Sequence, residues 1–193
     1  MRIAIVCANN QNRSMAAHHL LLNSGVDVCS YGTSAQVRIP AKEREAVNTY
    51  SFGKTYEEML LDLKAKDEDF YTRTGILQML RRNMEVKARP QRFQDANTPF
   101  DVVICCDSRC FDIIHSFYLA QAAAQAEAGA GAQVASYLVN FEIEDTPQTA
   151  TAAAEHILSL CRLLEKTGSP GDTIAQFIET QKTFPMLYTV VPC

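Results

Sequence analysis

The chain has 193 residues, of which 47% are hydrophobic and 21% are charged, and its formal net charge at pH 7 is -4. This composition is typical of a globular protein with one sizeable core and argues against a disordered chain. The weakly acidic balance argues against direct binding of nucleic acid or of a membrane surface, and no apolar stretch approaches the roughly 20 residues of a membrane-spanning helix.

Strand and helix signals alternate along the chain, with short β-branched apolar runs for strands and apolar residues at helical spacing for helices. The predicted strands are residues 2–6, 26–31, 102–106, 134–139 and 186–191. The predicted helices are residues 14–23, 56–66, 75–82, 108–120, 150–164 and 173–182, and residues 33–48 are predicted to form a loop that carries Pro40. This alternation predicts an α/β fold with a mainly parallel sheet and right-handed crossovers.

Two segments exceed what such a fold needs. Residues 54–88 are too long for a simple crossover and predict a helical cap over the site. Residues 121–132 are rich in Ala, Gly and Gln, and we expect them to form an insertion without catalytic or binding residues. We expect it to extend the preceding helix until Gly129 and Gly131 interrupt it. We expect the 193 residues to form a single domain.

The junction between the first strand and the first helix carries the most specific signal. Cys7 follows the strand, and Arg13 and Ser14 begin the helix. A loop that closes onto a helix N-terminus directs several backbone N–H groups at one point, where the helix dipole also favours an anion. The predicted phosphate-binding residues are Ala8, Asn9, Asn10, Gln11, Asn12 and Arg13, and we name residues 8–13 the phosphate loop.

This arrangement of residues is typical of the active site of a thiolate-dependent phosphatase. Cys7 would attack phosphorus as the thiolate, Arg13 would add a bidentate pair of N–H donors, and Ser14 would donate to the thiolate and help it leave. A Cys and an Arg six positions apart also fit a structural cysteine near a surface arginine, but the preceding strand, Ser14 and the following helix favour the phosphatase interpretation.

The reaction also needs a carboxylic acid that protonates the leaving oxygen. An acidic cluster of Glu142, Glu144 and Asp145 follows the fourth predicted strand and so opens at the carboxyl edge of the sheet. Asp145 is the first choice, followed by Glu142 and Glu144. The alternative is that all three are solvated, with Asp145 capping the next helix.

The cysteine count is odd, which favours a reducing compartment and free thiols. Cys105, Cys106 and Cys110 lie close together with His115 beyond them, but no second pair of metal ligands is visible, so we expect core cysteines and no metal site.

Two other groups of residues have structural interpretations. His18 and His19 are read as packing and surface residues of the first helix. A local basic stretch is read as a solvated face, or as a contact for acidic or phosphorylated protein. Its members are Arg81, Arg82, Lys87, Arg89 and Arg92.

The segment from Val6 to His18, with its Asn-Gln-Asn-Arg-Ser-Met string, resembles the active-site segment of the Ssu-class phosphatases. The resemblance continues through further segments along nearly the whole chain. They are residues 30–33, 37–40, 66–67, 71–72, 75–77, 79–80, 89–90, 92–94, 100–101, 139–140 and 184–190.

The resemblance implies a three-layer sandwich like that of low-molecular-weight tyrosine phosphatases, with an added helical cap and a final strand. It implies Cys7 as nucleophile, Arg13 as phosphate clamp and Asp145 as acid. The family's substrate is a phosphoserine followed by a cis proline in the C-terminal tail of RNA polymerase II, and Arg38, Pro40 and Met79 match the region that holds this peptide.

The resemblance also implies nuclear action in transcription and mRNA 3′-end processing, with a symplekin-like scaffold partner and with neither metal nor cofactor. Three alternatives remain open. A low-molecular-weight tyrosine phosphatase is the runner-up, although its Asp-Pro acid motif is absent. An arsenate reductase would need a relay of further cysteines, and a catalytically silent module would bind phosphorylated tails without releasing phosphate.

Overall fold

A computed structural model describes residues 1–43, 46–129 and 134–192. The strands are β1 (Ile3–Cys7), β2 (Cys29–Gly32), β3 (Val37–Pro40), β4 (Val47–Tyr50), β5 (Val102–Cys105), β6 (Ala135–Phe141) and β7 (Met186–Pro192). The helices are α1 (Arg13–Asn23), α2 (Tyr56–Arg73), α3 (Ile76–Val86), α4 (Ser108–Glu127), α5 (Pro147–Lys166) and α6 (Pro170–Thr180). A short 3-10 helix, Phe93–Asp95, precedes β5.

Five strands form the main sheet in the order β2-β1-β5-β6-β7. The first four are parallel, with β1 and β5 in register at Val6 and Cys105. The last strand, β7, runs antiparallel to β6. Every residue of β1 is buried, as expected of a central parallel strand covered on both faces. The predicted mainly parallel sheet with an added final strand is therefore confirmed.

Side chains of a strand alternate between the two faces of a sheet. Because β1 is buried on both faces, helices cover both sides of this sheet. Ile5 and Cys7 of β1 belong to a core built with α1, α5 and α6. Ala4 and Val6 belong to the opposite core, which includes Ile114 of α4. Cys7 ends β1 at the carboxyl edge of the parallel strands, where the phosphate loop begins.

A third core joins α2 and α3, which lie within the predicted cap, to the hairpin of β3 and β4. Buried side chains of the two helices, such as Met59 and Leu77, meet Val37 and Ile39 of the hairpin and Met15 of α1. Because Met15 lies two positions after the phosphate loop in α1, this packing holds the α2–α3 pair beside the loop.

The prediction of a loop over residues 33–48 is wrong. Residues 37–40 form β3 and pair antiparallel with β4, so Pro40 closes a strand. The alternation of buried Val37 and Ile39 with exposed neighbours is a period-2 pattern. That pattern spans four residues, too few to outweigh Pro40, which commonly excludes an internal strand.

Several predicted boundaries are also wrong. The α2 helix continues past residue 66 to Arg73 across a kink at Asp67, and α5 begins at Pro147 because Thr146 caps it and proline suits the first helical position. The α4 helix continues to Glu127, since Ala and Gln are good helix formers. Gly129 follows with a positive φ of 70°, and residues 130–132 of the predicted insertion lie outside the described residues. Among the described residues, no helix combines the length and apolar character needed to cross a membrane.

Candidate active site

The phosphate loop links the end of β1 to the start of α1 and passes very close to β2. A Cβ atom on Gly32 would lie 2.7 Å from the Ala8 carbonyl oxygen and 3.0 Å from the Asn10 nitrogen. Both of these are backbone atoms, so only glycine leaves the loop room to turn here. The chain after β2 then holds the start of the loop, because the Thr33 N–H donates to the Cys7 carbonyl at 3.0 Å.

Asn10 is the internal support of the loop. It is fully buried and adopts a positive φ of 52°, a conformation that asparagine tolerates better than most residues. Its Oδ1 accepts from the Gln91 N–H at 3.0 Å. Its Nδ2 donates to Ser14 Oγ at 3.0 Å and to Ser30 Oγ at 3.2 Å. One side chain thereby connects the loop to α1, β2 and the segment after α3.

Cys7 and Ser14 are in direct contact at the base of the loop. The two side-chain atoms, Cys7 Sγ and Ser14 Oγ, lie 3.0 Å apart, and both residues are buried. A hydroxyl donor at this distance stabilises a thiolate and also stabilises it as a leaving group. The structure therefore places the Ser14 hydroxyl in contact with the Cys7 sulfur.

Arg13 is fixed against the neighbouring strand ends. Its Nη1 donates to the carbonyls of Cys106 at 3.2 Å and Ile143 at 2.9 Å, and its Nη2 forms an ion pair with Asp107 at 2.6 Å. A guanidinium has five N–H donors. These contacts use three of them within the described residues. Among those residues the Nε–H has no hydrogen bond but lies 3.5 Å from Asp145 Oδ1, and the second Nη2–H remains for an anion.

Two carboxylates, those of Asp107 and Asp145, flank Arg13 and stabilise its positive charge. Burial would lower the pKa of the Arg13 guanidinium, but electrostatic interactions with Cys7, Cys106, Asp145 and Asp107 raise it above its ordinary value. Burial would likewise raise the pKa of Asp107, yet the Cys110 N–H and the guanidinium lower it. Arg13 is therefore permanently charged and rigidly oriented.

Asp145 contacts the phosphate loop through Asn12 and Arg13. Its Oδ1 accepts from Asn12 Nδ2 at 3.0 Å and is 3.5 Å from Arg13 Nε, and about half of its side chain is exposed. Thr146, and not Asp145, caps α5 through the Thr149 N–H. Asp145 is thus available to exchange protons with solvent and with a bound group.

The other two candidate acids point elsewhere. The Glu142 carboxylate accepts from the backbone N–H and the hydroxyl of Ser108 and from Asn140 Nδ2. Glu144 is exposed and does not line the cavity that contains Cys7. Of the acidic cluster, the structure brings only Asp145 to the loop.

A cavity of about 320 Å³ lies in front of Cys7. The predicted substrate-contact residues Arg38, Pro40 and Met79 all line it, together with Asp145. One wall is apolar and comes from the hairpin and the α2–α3 pair. The remaining lining residues are Asn9, Gln11, Asn12, Ile39, Phe70, Thr74, Gly75, Ile76 and Pro147.

Two residues of the basic stretch do not lie on a solvated face, so that prediction is wrong for Arg82 and Lys87. Arg82 Nη2 donates to the carbonyls of Gln11 at 2.9 Å and Asn12 at 3.3 Å. Lys87 Nζ donates to the Ser30 carbonyl at 2.5 Å, and burial lowers the pKa of its ammonium to about 7. Arg82 thus contacts the backbone of the phosphate loop, and Lys87 contacts the backbone of β2.

The three clustered cysteines are residues of the hydrophobic core. Cys105, Cys106 and Cys110 are fully buried, and burial raises the pKa of each thiol. Residues 1–43, 46–129 and 134–192 contain no group of His, Cys, Asp and Glu side chains that could hold a metal ion. The six cysteines in those ranges are free thiols, and Cys193 lies outside them.

Asp107 is a site residue that was not predicted from the sequence. It follows the buried strand β5 and caps α4 by accepting from the Cys110 N–H at 2.7 Å. An Asp between a buried strand and a helix is a recognisable capping signal. Because parallel strands end at one edge of the sheet, that signal also places the carboxylate near Arg13.

Comparison with known proteins agrees with this geometry. A family model described as Ssu72-like protein matches residues 1–191. The chain belongs to the Ssu72-like family. The resemblance found in the sequence is thereby confirmed.

Curated Ssu72 relatives match over nearly their whole length. A Danio rerio protein, named SSU72 and described as a phosphatase of the RNA polymerase II C-terminal domain, is 37% identical over 193 residues, which cover 98% of this chain and 96% of that protein. Its Schizosaccharomyces pombe counterpart is 35% identical over 196 residues, with 98% and 95% covered.

Solved Ssu72 structures share the fold. Drosophila melanogaster Ssu72, solved with Symplekin and a cis peptidomimetic of a phosphoserine CTD peptide, has a TM-score of 0.87 at 30% identity, covering 100% of this chain and 98% of that chain. A crystal structure of the serine phosphatase of RNA polymerase II CTD from the same organism has a TM-score of 0.89 at 30% identity, covering 100% and 99%. The predicted α/β sandwich is confirmed by these matches.

Proposed function

We propose that this chain is a cysteine-dependent protein phosphatase that removes phosphate from phosphoserine-proline sites in the C-terminal tail of RNA polymerase II. One observation carries the proposal: Cys7 and Asp145 line the same cavity, together with Asn9, Gln11 and Asn12 of the phosphate loop. Membership of the Ssu72-like family supports the substrate, since relatives carry the name of C-terminal domain phosphatase.

The reaction follows from the positions of four side chains. Cys7 Sγ attacks phosphorus, a sulfur–phosphorus bond forms, and the phosphorus–oxygen bond to the serine breaks. Asp145 gives its proton to the leaving serine oxygen and, as a carboxylate, then accepts a proton from the water that hydrolyses the phosphocysteine. The thiolate leaves with the help of the Ser14 hydroxyl at 3.0 Å. The N–H donors that Arg13 leaves free hold the phosphoryl oxygens. No step uses a metal ion or cofactor.

The apolar wall of the cavity fits the residue that follows the phosphoserine. Ile39, Phe70, Ile76 and Met79 line it beside Cys7. A proline ring buries apolar surface there without leaving a backbone N–H unsatisfied. The neighbouring D. melanogaster Ssu72 was solved with a cis peptidomimetic of the phosphorylated tail, which supports the same ligand class for this cavity.

The proposal extends to partners, place and organisation. The D. melanogaster relative was solved with Symplekin, so we assign a symplekin-like scaffold as partner and mRNA 3′-end processing as the setting. Because the tail of RNA polymerase II is the substrate, the nucleus is the site of action. The whole chain acts as one phosphatase domain, with residues 54–88 as a cap beside the cavity and residues 121–132 as an insertion.

Phosphate release from tail peptides tests this function. Peptides that carry phosphate on different serines, with one phosphotyrosine peptide for comparison, are incubated with the wild-type protein and with Cys7→Ser. We expect release from serines that precede proline, and none with Cys7→Ser. Release from the phosphotyrosine peptide alone would favour the tyrosine phosphatase, and phosphopeptide binding without release would favour the silent module.

A further inference from the structure

Three consecutive carbonyl groups of the phosphate loop accept hydrogen bonds from the α2–α3 pair. Tyr56 Oη donates to the Asn10 carbonyl at 2.7 Å. Asn83 Nδ2 donates to the Gln11 carbonyl at 2.9 Å. Arg82 Nη2 donates to the Gln11 carbonyl at 2.9 Å and to that of Asn12 at 3.3 Å.

These contacts set the direction of the loop's N–H groups. In a planar trans peptide unit the carbonyl and the next residue's N–H point in opposite directions. Carbonyls of Gln11 and Asn12 that face Arg82 therefore turn the N–H groups of Asn12 and Arg13 away from it. Both groups lie at the start of α1, where N–H groups have no acceptor within the helix. They remain available to an anion held at the helix N-terminus.

Arg82 is the charged member of this set, and its charge lacks a carboxylate partner. Its remaining hydrogen bonds go to its neighbour, Asn83 Oδ1, and no ion pair to Arg82 is found among the described residues. Burial lowers the pKa of its guanidinium to about 10, and the opposing influences come from Tyr56 and Cys7. A partly buried cation without a carboxylate is costly unless an anion compensates it.

We propose that Arg82 is a positioning residue that holds the phosphate loop in its anion-binding conformation, with the Cys7 thiolate or the bound phosphoryl group as its counter-charge. Arg82 acts through the Gln11 and Asn12 peptide groups and does not touch the phosphate. This inference rests on the proposed function for its catalytic consequence, but its binding consequence concerns inorganic phosphate alone.

The test compares Arg82→Met, Arg82→Lys and Arg81→Met. Arg81 is the adjacent, exposed arginine of α3, so its replacement removes the same formal charge away from the loop. The readouts are the dissociation constant of inorganic phosphate by calorimetry, kcat and KM for an aryl phosphate, and the thermal unfolding midpoint.

We expect Arg82→Met to weaken phosphate binding by about 10- to 100-fold, as for the loss of a charge-assisted hydrogen bond, and to raise KM as well as lower kcat. Arg82→Lys keeps the charge but loses the planar set of guanidinium N–H donors, so its affinity for phosphate should lie between those of the wild type and Arg82→Met. Arg81→Met binds phosphate as the wild type does. If the variants follow this order of phosphate affinity while their unfolding midpoints stay similar, the effect is one of positioning and not of a general loss of stability.

Phosphate binding by Arg82→Met within about twofold of Arg81→Met would overturn the inference, as would a wild-type protein that binds no phosphate. If Arg82→Met does not fold, Arg82→Lys decides, because wild-type binding by that variant would also overturn it. Arg82-dependent phosphate binding in a protein that releases no phosphate from tail peptides would overturn the proposed function and leave this inference standing.

Discussion

Asn10 Nδ2 donates a hydrogen bond to Ser14 Oγ at 3.0 Å, and this contact decides the direction of the Ser14 hydroxyl. The orientation of the Asn10 amide is fixed because the Gln91 N–H donates to its Oδ1 at 3.0 Å. Since Ser14 Oγ accepts from Asn10, its own proton is free to point at Cys7 Sγ, 3.0 Å away. Ser14 is therefore oriented to donate to Cys7 Sγ when that sulfur is a thiolate.

Ser14→Ala removes this donor while keeping the small size of the side chain. We expect kcat for an aryl phosphate to fall by about 10- to 100-fold, because the departing thiolate loses a charge-assisted hydrogen bond. The slowed second step makes phosphocysteine accumulate, which acid quenching and mass spectrometry of the Cys7 peptide detect. An unchanged kcat without accumulation would contradict this role.

Cys7→Ser tests whether all turnover passes through one thiolate. We expect no release from an aryl phosphate by this variant and full activity of the wild-type protein in EDTA, since no step needs a metal ion. Cys29→Ser is the matched control, because Cys29 is an exposed free thiol of the same chain. A chelator-sensitive activity that survives in Cys7→Ser would contradict the mechanism.

Asp145→Asn tests the general acid. The alkoxide of serine is a poor leaving group and needs a proton, whereas an activated aryl oxide leaves without one. We expect turnover of an alkyl phosphate to fall by about 100-fold or more and that of the activated aryl ester to fall much less. Glu144→Gln is the control, since Glu144 is exposed outside the cavity. Equal slowing of both substrates would count against Asp145.

The phosphate loop and the parallel sheet could be predicted from sequence because their signals are local. Cys7, Arg13 and Ser14 lie within eight positions, and β1 is a continuous apolar run. The hairpin of β3 and β4 could not be predicted, because its strands have four residues each and one ends in proline. Its stability comes from packing against α2 and α3, which a local pattern does not show.

The roles of Arg82 and Asp107 depend on contacts between distant parts of the chain. Arg82 and the Gln11 carbonyl that it contacts are 71 positions apart. In the sequence, Arg82 differs in no visible way from its neighbour Arg81, because only the packing of α3 decides which of the two faces the loop. Asp107 had a readable capping signal, but its pairing with Arg13 requires the order of the strands.

Gly32→Ala tests the close approach of β2 to the phosphate loop. The added methyl group would meet the backbone of Ala8 and Asn10 at 2.7 and 3.0 Å, so the loop must move. We expect a loss of about 1–3 kcal/mol in the free energy of unfolding. Turnover of an aryl phosphate should fall by about 100-fold, as for a misplacement of about 1 Å.

Gly168→Ala is the control for that substitution, because nothing lies within 4 Å of a Cβ atom built there. Its unfolding free energy and turnover should match those of the wild type. A Gly32→Ala protein with wild-type turnover would show that the loop tolerates the methyl group, which would contradict the tight contact.

His18 should make stability depend on pH on the acid side of neutrality. Its Nδ1 lies 2.8 Å from Ser30 Oγ in the network that reaches Asn10. Burial, and then the nearby Lys87, lower the pKa of this imidazole from 6.5 to about 4, against a smaller opposite influence from Asp27. The folded protein therefore keeps His18 neutral at pH values where the unfolded chain protonates it.

The sign of the effect follows from that difference. As the pH falls below 6.5, His18 becomes protonated in the unfolded state but stays neutral in the folded state. The free energy of unfolding therefore declines until the pH reaches about 4. At full effect the gap corresponds to about 3 kcal/mol, and the partial exposure of the ring reduces it to about 1–2 kcal/mol. Urea unfolding at pH 7 and pH 4.5 measures it.

His18→Asn removes the titration and keeps a polar group beside Ser30, so this variant should lose about 1–2 kcal/mol less than the wild type between the two pH values. His19→Asn removes the adjacent imidazole, which contacts Glu85, and leaves His18 in place. That control must keep the acid-side loss due to His18. An equal loss of stability in His18→Asn and the wild type would show that the imidazole is charged in the folded protein, because a group protonated in both states adds no pH dependence.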